Sequence, residues 1–299
     1  MAYTEIKEIN GRKYYYRVQS IRSGKMVRKK RVYLGIDLAK TELAEKEDAA
    51  DKELRLLSTL LTENEQEELE KVKREYLSQP KENIENRYET FISLFTYDST
   101  AIEGNTLTLQ ETSQLLFDKI TPRKSLREIN EITNHKEAFD FLLKEKEDIS
   151  KRVILKLHEL VAKNTLKKEL TPQIGKYRIV PVFIRGTSWL PPKPEEVPEE
   201  MQVLLSWYSK NNAKLHPLIL TAYFHSAFET IHPFVDGNGR VGRLLMNFIL
   251  RKHNYPMINI PNKKKHIYYK ALETSQLKGD LRPLVKFLFD LIKKEYIRF

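Results

Sequence analysis

Twelve consecutive residues, His232-Pro-Phe-Val-Asp-Gly-Asn-Gly-Arg-Val-Gly-Arg243, hold the side-chain types of a phosphate-handling site. His232 is an imidazole that could accept a proton near neutral pH. Asp236, four residues on, offers a hard oxygen of the kind Mg²⁺ takes alongside substrate phosphates. Gly237 and Gly239 flank Asn238 and let an anion approach the main chain closely. Arg240 and Arg243, three apart, share one helical face and can clamp a polyphosphate. Taken singly, each piece has a plain structural use: a histidine after an apolar helix, a turn, a solvated basic face. Together they put a base, a metal ligand, an anion cradle and two cations into twelve residues, and the chemistry they suit is transfer of a phosphate-linked group.

These residues need two helices to position them. Leu218 to Ile231 reads as a mostly apolar helix and Arg240 to Lys252 as another. The loop therefore ends at a helix N-terminus, whose free N–H groups and dipole attract anions. Helix signals dominate from residue 83 onward, with spans expected near 84–102, 109–118, 126–145, 150–163, 195–210, 215–231, 240–253, 264–276 and 282–297. Thr108/Glu111 and Ser125/Glu128 read as capping boxes. One break interrupts the pattern. Tyr177 to Arg185 is β-rich, and Gly186, Pro191, Pro192 and Pro194 follow, which predicts a short hairpin inside the helical domain.

Upstream, residues 38–61 are rich in Ala, Glu, Lys and Leu, and Thr62/Glu65 reads as a capping box opening a helix that Pro80 stops. Residues 1–36 carry ten Lys and Arg against two Glu, and so most of the chain's net charge of +11. Lys13 to Ile21 and Met26 to Leu34 read as two strands joined at Ser23-Gly24. Tyr14, Tyr15, Tyr16 and Tyr33 lie among the charges. Such a surface could grip a nucleic-acid backbone and stack on bases. It equally fits a hairpin that packs its aromatics while its lysines guard the edges. The expected partition is a basic hairpin arm at 1–36, a helical linker at 37–82 and a helical domain at 83–299.

The 299 residues include no cysteine, which excludes disulfides, cysteine-ligated metals and cysteine nucleophiles and suits a reducing compartment. No run approaches the ~18 apolar residues of a membrane span, and the opening residues lack a signal-like apolar stretch. The expectation is a soluble, cytoplasmic protein with no membrane partner.

The segment 232–243 resembles the signature of the Fic family, His-x-Phe-x-Asp/Glu-Gly-Asn-Gly/Lys-Arg-x-x-Arg, at every specified position, and the resemblance extends over about residues 90 to 295. It implies a mainly α fold, a Fic-type helical bundle with a β-hairpin flap. It also implies an enzyme, a protein adenylyltransferase that moves AMP from ATP to a Ser, Thr or Tyr hydroxyl of a target protein. His232 would be the general base and Asp236 the Mg²⁺ ligand. Gly237, Asn238 and Gly239 would cradle phosphates, Arg240 and Arg243 would hold the distal ones, and Phe234 would anchor the loop. Kinase-like relatives carry Lys where this chain has Gly239, which points here to AMP transfer.

Ser99-Thr-Ala-Ile-Glu103-Gly104 resembles the inhibitory helix of the family subgroup in which that helix precedes the core. The resemblance implies that Glu103 pairs with Arg243 and takes the place of the ATP γ-phosphate. In some relatives the same glutamate serves removal of AMP. Without the family, Glu103 would read as a helix-end carboxylate beside a glycine cap. Tyr268 and Tyr269 would form the adenine wall, with one of the two in the core. On the flap, Ile179, Val180, Val182, Phe183 and Ile184 would pair with an extended target segment by strand addition. Release of the brake calls for a conformational shift or a changed oligomer, such as a homodimer. Two other readings stay open: a nucleic-acid-associated regulator that uses the Fic core as a nucleotide sensor, and a Fic transferase of another phosphate-containing group.

Overall fold

The computed structural model describes residues 2–9, 11–23, 26–47, 57, 59–80, 84–184, 187 and 189–295. The chain divides into two compact units, Met1–Thr62 and Glu63–Phe299.

The first unit is a three-stranded antiparallel meander of β1 (Ala2–Ile9), β2 (Arg12–Ser23) and β3 (Met26–Ile36), followed by helical residues 40–47. The sequence predicts two of these strands, and β1 is an addition. Its residues, AYTEIKEI, mix apolar and polar side chains on both faces, with Tyr3 and Ile6 exposed, so the alternation that signals a half-buried strand is missing. β1 is held instead by its ladder with β2, which pairs Tyr3 with Val18 and Ile6 with Tyr15. A bulge between Tyr15 and Tyr16 sets Leu34 apart as the extra residue of β3. Tyr15 and Leu34 are buried together and pack against Leu38 and Leu43. At Tyr15 the aromatic side of the sheet therefore packs. Gly24 of the expected Ser23-Gly24 turn lies outside the described residues.

The second unit is helical: α1 (Glu63–Leu77), α2 (Ile84–Ile102), α3 (Leu109–Ser113), α4 (Leu126–Lys144), α5 (Lys151–Ala162), α6 (Val197–Asn211), α7 (Pro217–Ile231), α8 (Asn238–Lys252), α9 (Lys265–Lys278) and α10 (Arg282–Glu295). Two of the three expected capping boxes are seen, Thr108 with Glu111 and Ser125 with Glu128, and the helix expected after Thr62 begins at Glu63. The helix expected over 109–118 changes at residue 114 to a π turn, Gln114–Asp118. α8 is the hub. It touches α7, α5, α4 and α2, while α6, α9 and α10 pack on α7. Leu244, Leu245, Phe248 and Ile249 of α8 and Leu220, Phe224 and Phe228 of α7 are fully or almost fully buried. Each such side chain contributes roughly 1.5–3 kcal/mol, so the helix pair flanking residues 232–237 sits at the most strongly held place in the unit. α1 packs on α10. Tyr255 also donates to Glu70 of α1 at 2.6 Å.

Among the described residues the expected flap hairpin is not seen. Residues 177–184 make no ladder; they run irregularly across the surface, and Arg185, Gly186 and Ser188 lie outside the described residues. The β-branched composition of the segment predicts a strand, but Pro181 interrupts it and has no N–H to give a ladder.

Candidate active site

The site is assembled where α7 stops. His232 caps that helix in the left-handed region, at φ 51° and ψ 61°, and its N–H bonds to the Phe228 carbonyl at 2.9 Å. This turn throws the chain back toward α8. Phe234, fully buried, anchors it by stacking on His158 at 3.8 Å between ring centres. The His158 ring bridges farther, with Nδ1 accepting from the Gly175 N–H at 3.0 Å and Nε2 facing the Asp236 carbonyl at 3.2 Å. Burial pushes the His158 pKa down to about 4, so the ring is neutral.

Asn238 closes the same turn. Its side chain accepts from the Phe234 N–H at 2.9 Å and donates to the Phe234 carbonyl at 2.8 Å. The buried Asn238 side chain is thus engaged in shaping the turn.

Arg178, at the base of the flap, is almost fully buried and grips main-chain oxygens. It donates to the carbonyls of His232 at 2.8 Å, Pro192 at 2.6 Å, Val180 at 3.3 Å and Ile231 at 3.4 Å. Trp189 adds a bond from Nε1 to the Thr230 carbonyl at 3.0 Å. Both ends of the flap are thus stapled to the turn that carries His232. Between them Ile179, Val180 and Phe183 are exposed and Val182 and Ile184 half-buried, an apolar strip of main chain beside the proposed base. Burial lowers the His232 pKa to about 4, against an upward pull from the Glu229 carbonyl and from Glu103. At neutral pH the imidazole is therefore unprotonated and able to take a proton.

The anion end lies one turn away. Gly237 caps α8 with φ at +83°, and Gly239 follows in the first helical turn. Arg240 and Arg243 do share a face, but both are buried and already partnered. Arg240 binds Asp236 Oδ1 at 3.0 Å and approaches Glu131 at 3.7 Å, while Arg127 reaches Asp236 Oδ2 at 3.3 Å. Arg243 donates from Nε to Ser99 Oγ at 3.0 Å, and from Nη2 to the Ser99 carbonyl and Glu103 Oε1, each at 2.7 Å. The Glu103 carboxylate lies against the cradle itself, because a Cβ placed on Gly239 would stand 2.2 Å from Glu103 Oε1. Gly239 is thus the residue that lets a carboxylate sit where the helix terminus attracts anions.

Asp236 suits a metal that arrives with phosphates. It is a single carboxylate, about one-third exposed, at a helix N-terminus. Mg²⁺ in such places takes one or two carboxylates and completes its shell from substrate and water. Among the described residues no cluster of three or more His, Asp or Glu could hold an ion without such help.

The tyrosine pair separates. Tyr268 is in the core, bonded to His225 Nε2 at 2.7 Å and stacked with Phe287, so it does not line the site. Tyr269 is exposed, with its hydroxyl near the Ile102 carbonyl at 3.4 Å. The sequence reading missed Arg178, His158, Glu229, Glu131 and Arg127. The only local signal among them is the spacing of His225, Glu229 and His232 along one helical line.

Among the described residues, no helix is long and apolar enough to cross a membrane. Residues 148–250 match the model of the Fic/DOC family. The chain is similar to "Protein adenylyltransferase Fic" of Nematostella vectensis, 36% identical over 198 residues that cover 64% of this chain and 45% of that protein. The protein of the same name from Drosophila melanogaster is 37% identical over 203 residues, 66% of this chain and 40% of its own. The chain thus spans less than half the length of these curated relatives. Among solved structures, a Fic-domain-containing signaling protein from Bacteroides thetaiotaomicron superimposes with a TM-score of 0.70 at 26% identity, covering 78% of this chain and 95% of that one. Fic-1 from C. elegans gives a TM-score of 0.69 at 28% identity, covering 88% of this chain and 77% of that one. The twelve-residue signature, the helical frame around it and these similarities agree: this chain carries a Fic/DOC family domain.

Proposed function

We propose that this chain is an autoinhibited protein adenylyltransferase that moves AMP from ATP to a Ser, Thr or Tyr hydroxyl of a target protein. His232, neutral and half-buried at the edge of the flap, takes the proton of the attacking hydroxyl. A bound Mg²⁺ would supply charge neutralisation between the α- and β-phosphates, and Asp236 is the residue that would hold it. The amides of Gly237 and Gly239 and the dipole of α8 bind phosphate oxygens, and Arg240 and Arg243 neutralise the leaving pyrophosphate. Such catalysis is mostly positioning and electrostatics. The target segment lies along the exposed strip 179–184, where main-chain groups outside any ladder can pair with an extended peptide.

The observation that carries the reading is the seat of Glu103. Its carboxylate occupies both the cradle over Gly239 and the guanidinium of Arg243, the two places a γ-phosphate needs. A glutamate there competes with ATP, and removing it should turn transfer on. The test incubates the Glu103→Gly chain with lysate, Mg²⁺ and ATP labelled at either the α- or the γ-phosphate. Label on protein from α-labelled ATP alone supports AMP transfer. Label from γ-labelled ATP alone makes the protein a kinase and overturns the reading.

A further inference from the structure

Behind His232, on the side away from solvent, three polar atoms meet with nothing to bond. His232 Nδ1, His225 Nδ1 and Glu229 Oε1 are all buried and have no hydrogen-bond partner among the described residues. Glu229 lies between the two rings, with Oε2 3.9 Å from His232 Nδ1 and Oε1 4.0 Å from His225 Nδ1. The chamber exists because residue 242 has no side chain: a Cβ there would come within 2.4 Å of Glu229 Oε1 and 2.9 Å of the His225 ring. His225 is fixed from its far side by the Tyr268 hydroxyl, at 2.7 Å from Nε2. The other charged or titratable groups that act on this pair are Arg243 from α8, Glu103 from the end of α2, Tyr268 and Tyr269 from α9, Arg178 from the flap and Asp236.

A buried carboxyl with an unpartnered oxygen is costly, and an apolar residue would serve the α7 core better. The geometry gives it a use. His232 can act as a base only through the nitrogen that reaches the site, and Nδ1 is the nitrogen walled in. The neutral ring must therefore carry its proton on Nδ1, and which tautomer forms is set by the group that faces Nδ1. The nearby Glu229 main-chain carbonyl also favours a proton there but makes no bond of hydrogen-bond geometry.

We propose that Glu229 is the positioning residue of His232: its carboxyl holds the proton on Nδ1 and leaves the Nε2 lone pair for the target hydroxyl. When Nε2 takes that proton, the ring becomes an imidazolium, and the carboxyl oxygen that faces Nδ1 accepts from its N–H. This rests on the transferase reading for its consequence but not for its first measurement.

The test is made on the full chain. Long-range ¹H–¹⁵N correlation of histidine-labelled protein reports the His232 tautomer, assigned by comparison with His232→Gln. The Nδ1–H form should dominate in the wild type and give way to Nε2–H in Glu229→Met, while Glu229→Asp keeps it. The Tm of Glu229→Met should hold or rise, since the change removes a buried unpartnered carboxyl. In the Glu103→Gly background, Glu229→Met should lower kcat about 10–100-fold with KM for ATP within twofold, and Glu229→Asp should restore most of it. A His232 ring that stays in the Nδ1–H form in Glu229→Met overturns the proposal, whatever the transfer assay gives. A tautomer that follows residue 229 in a protein that never labels a target overturns the transferase reading and upholds this one.

Discussion

The two ends of the turn between α7 and α8 are built differently. At the His232 end the contacts run to main-chain groups: Arg178 on the carbonyls of Ile231 and His232, Trp189 on Thr230, and Asn238 closing both ways on Phe234. At the Arg243 end ion pairs between side chains dominate, Glu103 with Arg243 and Asp236 shared by Arg240 and Arg127, beside the bonds of Arg243 to the Ser99 carbonyl and hydroxyl. Main-chain bonds fix one geometry. Carboxylate–guanidinium pairs can be replaced by phosphate–guanidinium pairs of the same kind. The His232 end is therefore preorganised, and the Arg243 end is held by ion pairs that, on the proposed reading, a substrate phosphate displaces. On that proposed reading, regulation belongs at the second end, where the resident anion is part of the chain.

The comparison breaks most visibly at the base. His232→Ala should lower AMP transfer by ~10²–10⁴ while ATP binding, followed by calorimetry, survives. A variant that still labels targets at near wild-type rate would place the base elsewhere.

Acid should attack the same end. Burial pushes His158, His216 and His232 to about 4 and His225 to about 3, below the ordinary 6.5. Between pH 6.5 and 4 the unfolded chain then binds more protons than the folded one, so stability falls on acidification through that window. Each full unit of depression is worth ~1.4 kcal/mol once the pH is below both values. Glu229 opposes this, since burial pushes it up to about 8 from 4.5, but it is one group against four. The Tm measured from pH 7 to 4 should fall steadily; a flat profile would mean that these rings are solvated.

Arg178→Met should come next. It leaves buried carbonyls without a donor, each costing ~1–3 kcal/mol, and it frees the flap from the His232 turn. Both the urea midpoint and AMP transfer should drop. An unchanged midpoint with intact transfer would show that the four bonds do not hold the turn.

Glu103→Gly tests the ionic end. A charge-assisted pair contributes ~1.5–3 kcal/mol, which corresponds to a gain in transfer of about 10–100-fold if the pair must open for ATP. The gain should vanish in the Arg243→Ala background, where no clamp is left to free, and a double-mutant cycle reads that non-additivity. An equal gain with and without Arg243 would refute the pair as the brake.

The legible part of the molecule is the part whose partners are near in sequence. The 232–243 segment declares itself by residue type and spacing, and Thr108/Glu111 and Ser125/Glu128 by the three-residue offset of their boxes. Arg178 was illegible because its main partner is 54 positions away, and His158 because Asp236 is 78 away. Within the amphipathic α5, His158 looks like one more residue of the buried face. The flap misled for a different reason. Strand propensity describes what a segment could pair with, and among the described residues, 177–184 have no neighbouring strand. β1 shows the reverse, a strand without strand patterning made by the ladder beside it.

The smallest expected effect is also the sharpest on what the ionic end does. Arg127 is more than half exposed, and its pairs with Asp236 and Glu131 at 3.3 and 3.1 Å should contribute only ~0–1 kcal/mol to stability. Arg127→Ala should therefore leave Tm within a few degrees. Its consequence lies in Mg²⁺ dependence. With Arg127 gone, one oxygen of Asp236 is released and a positive charge that repels the incoming cation is removed. Magnesium titrations of AMP transfer in the Glu103→Gly background should then reach half-saturation at a lower concentration, by up to about fivefold for ~1 kcal/mol. Glu131→Gln offers the control, since it loosens Arg240 and Arg127 together without taking a cation away. A half-saturation that rises in Arg127→Ala would show that Arg127 grips the nucleotide's phosphates directly, and would move it from a cap on Asp236 to a third clamp beside Arg240 and Arg243.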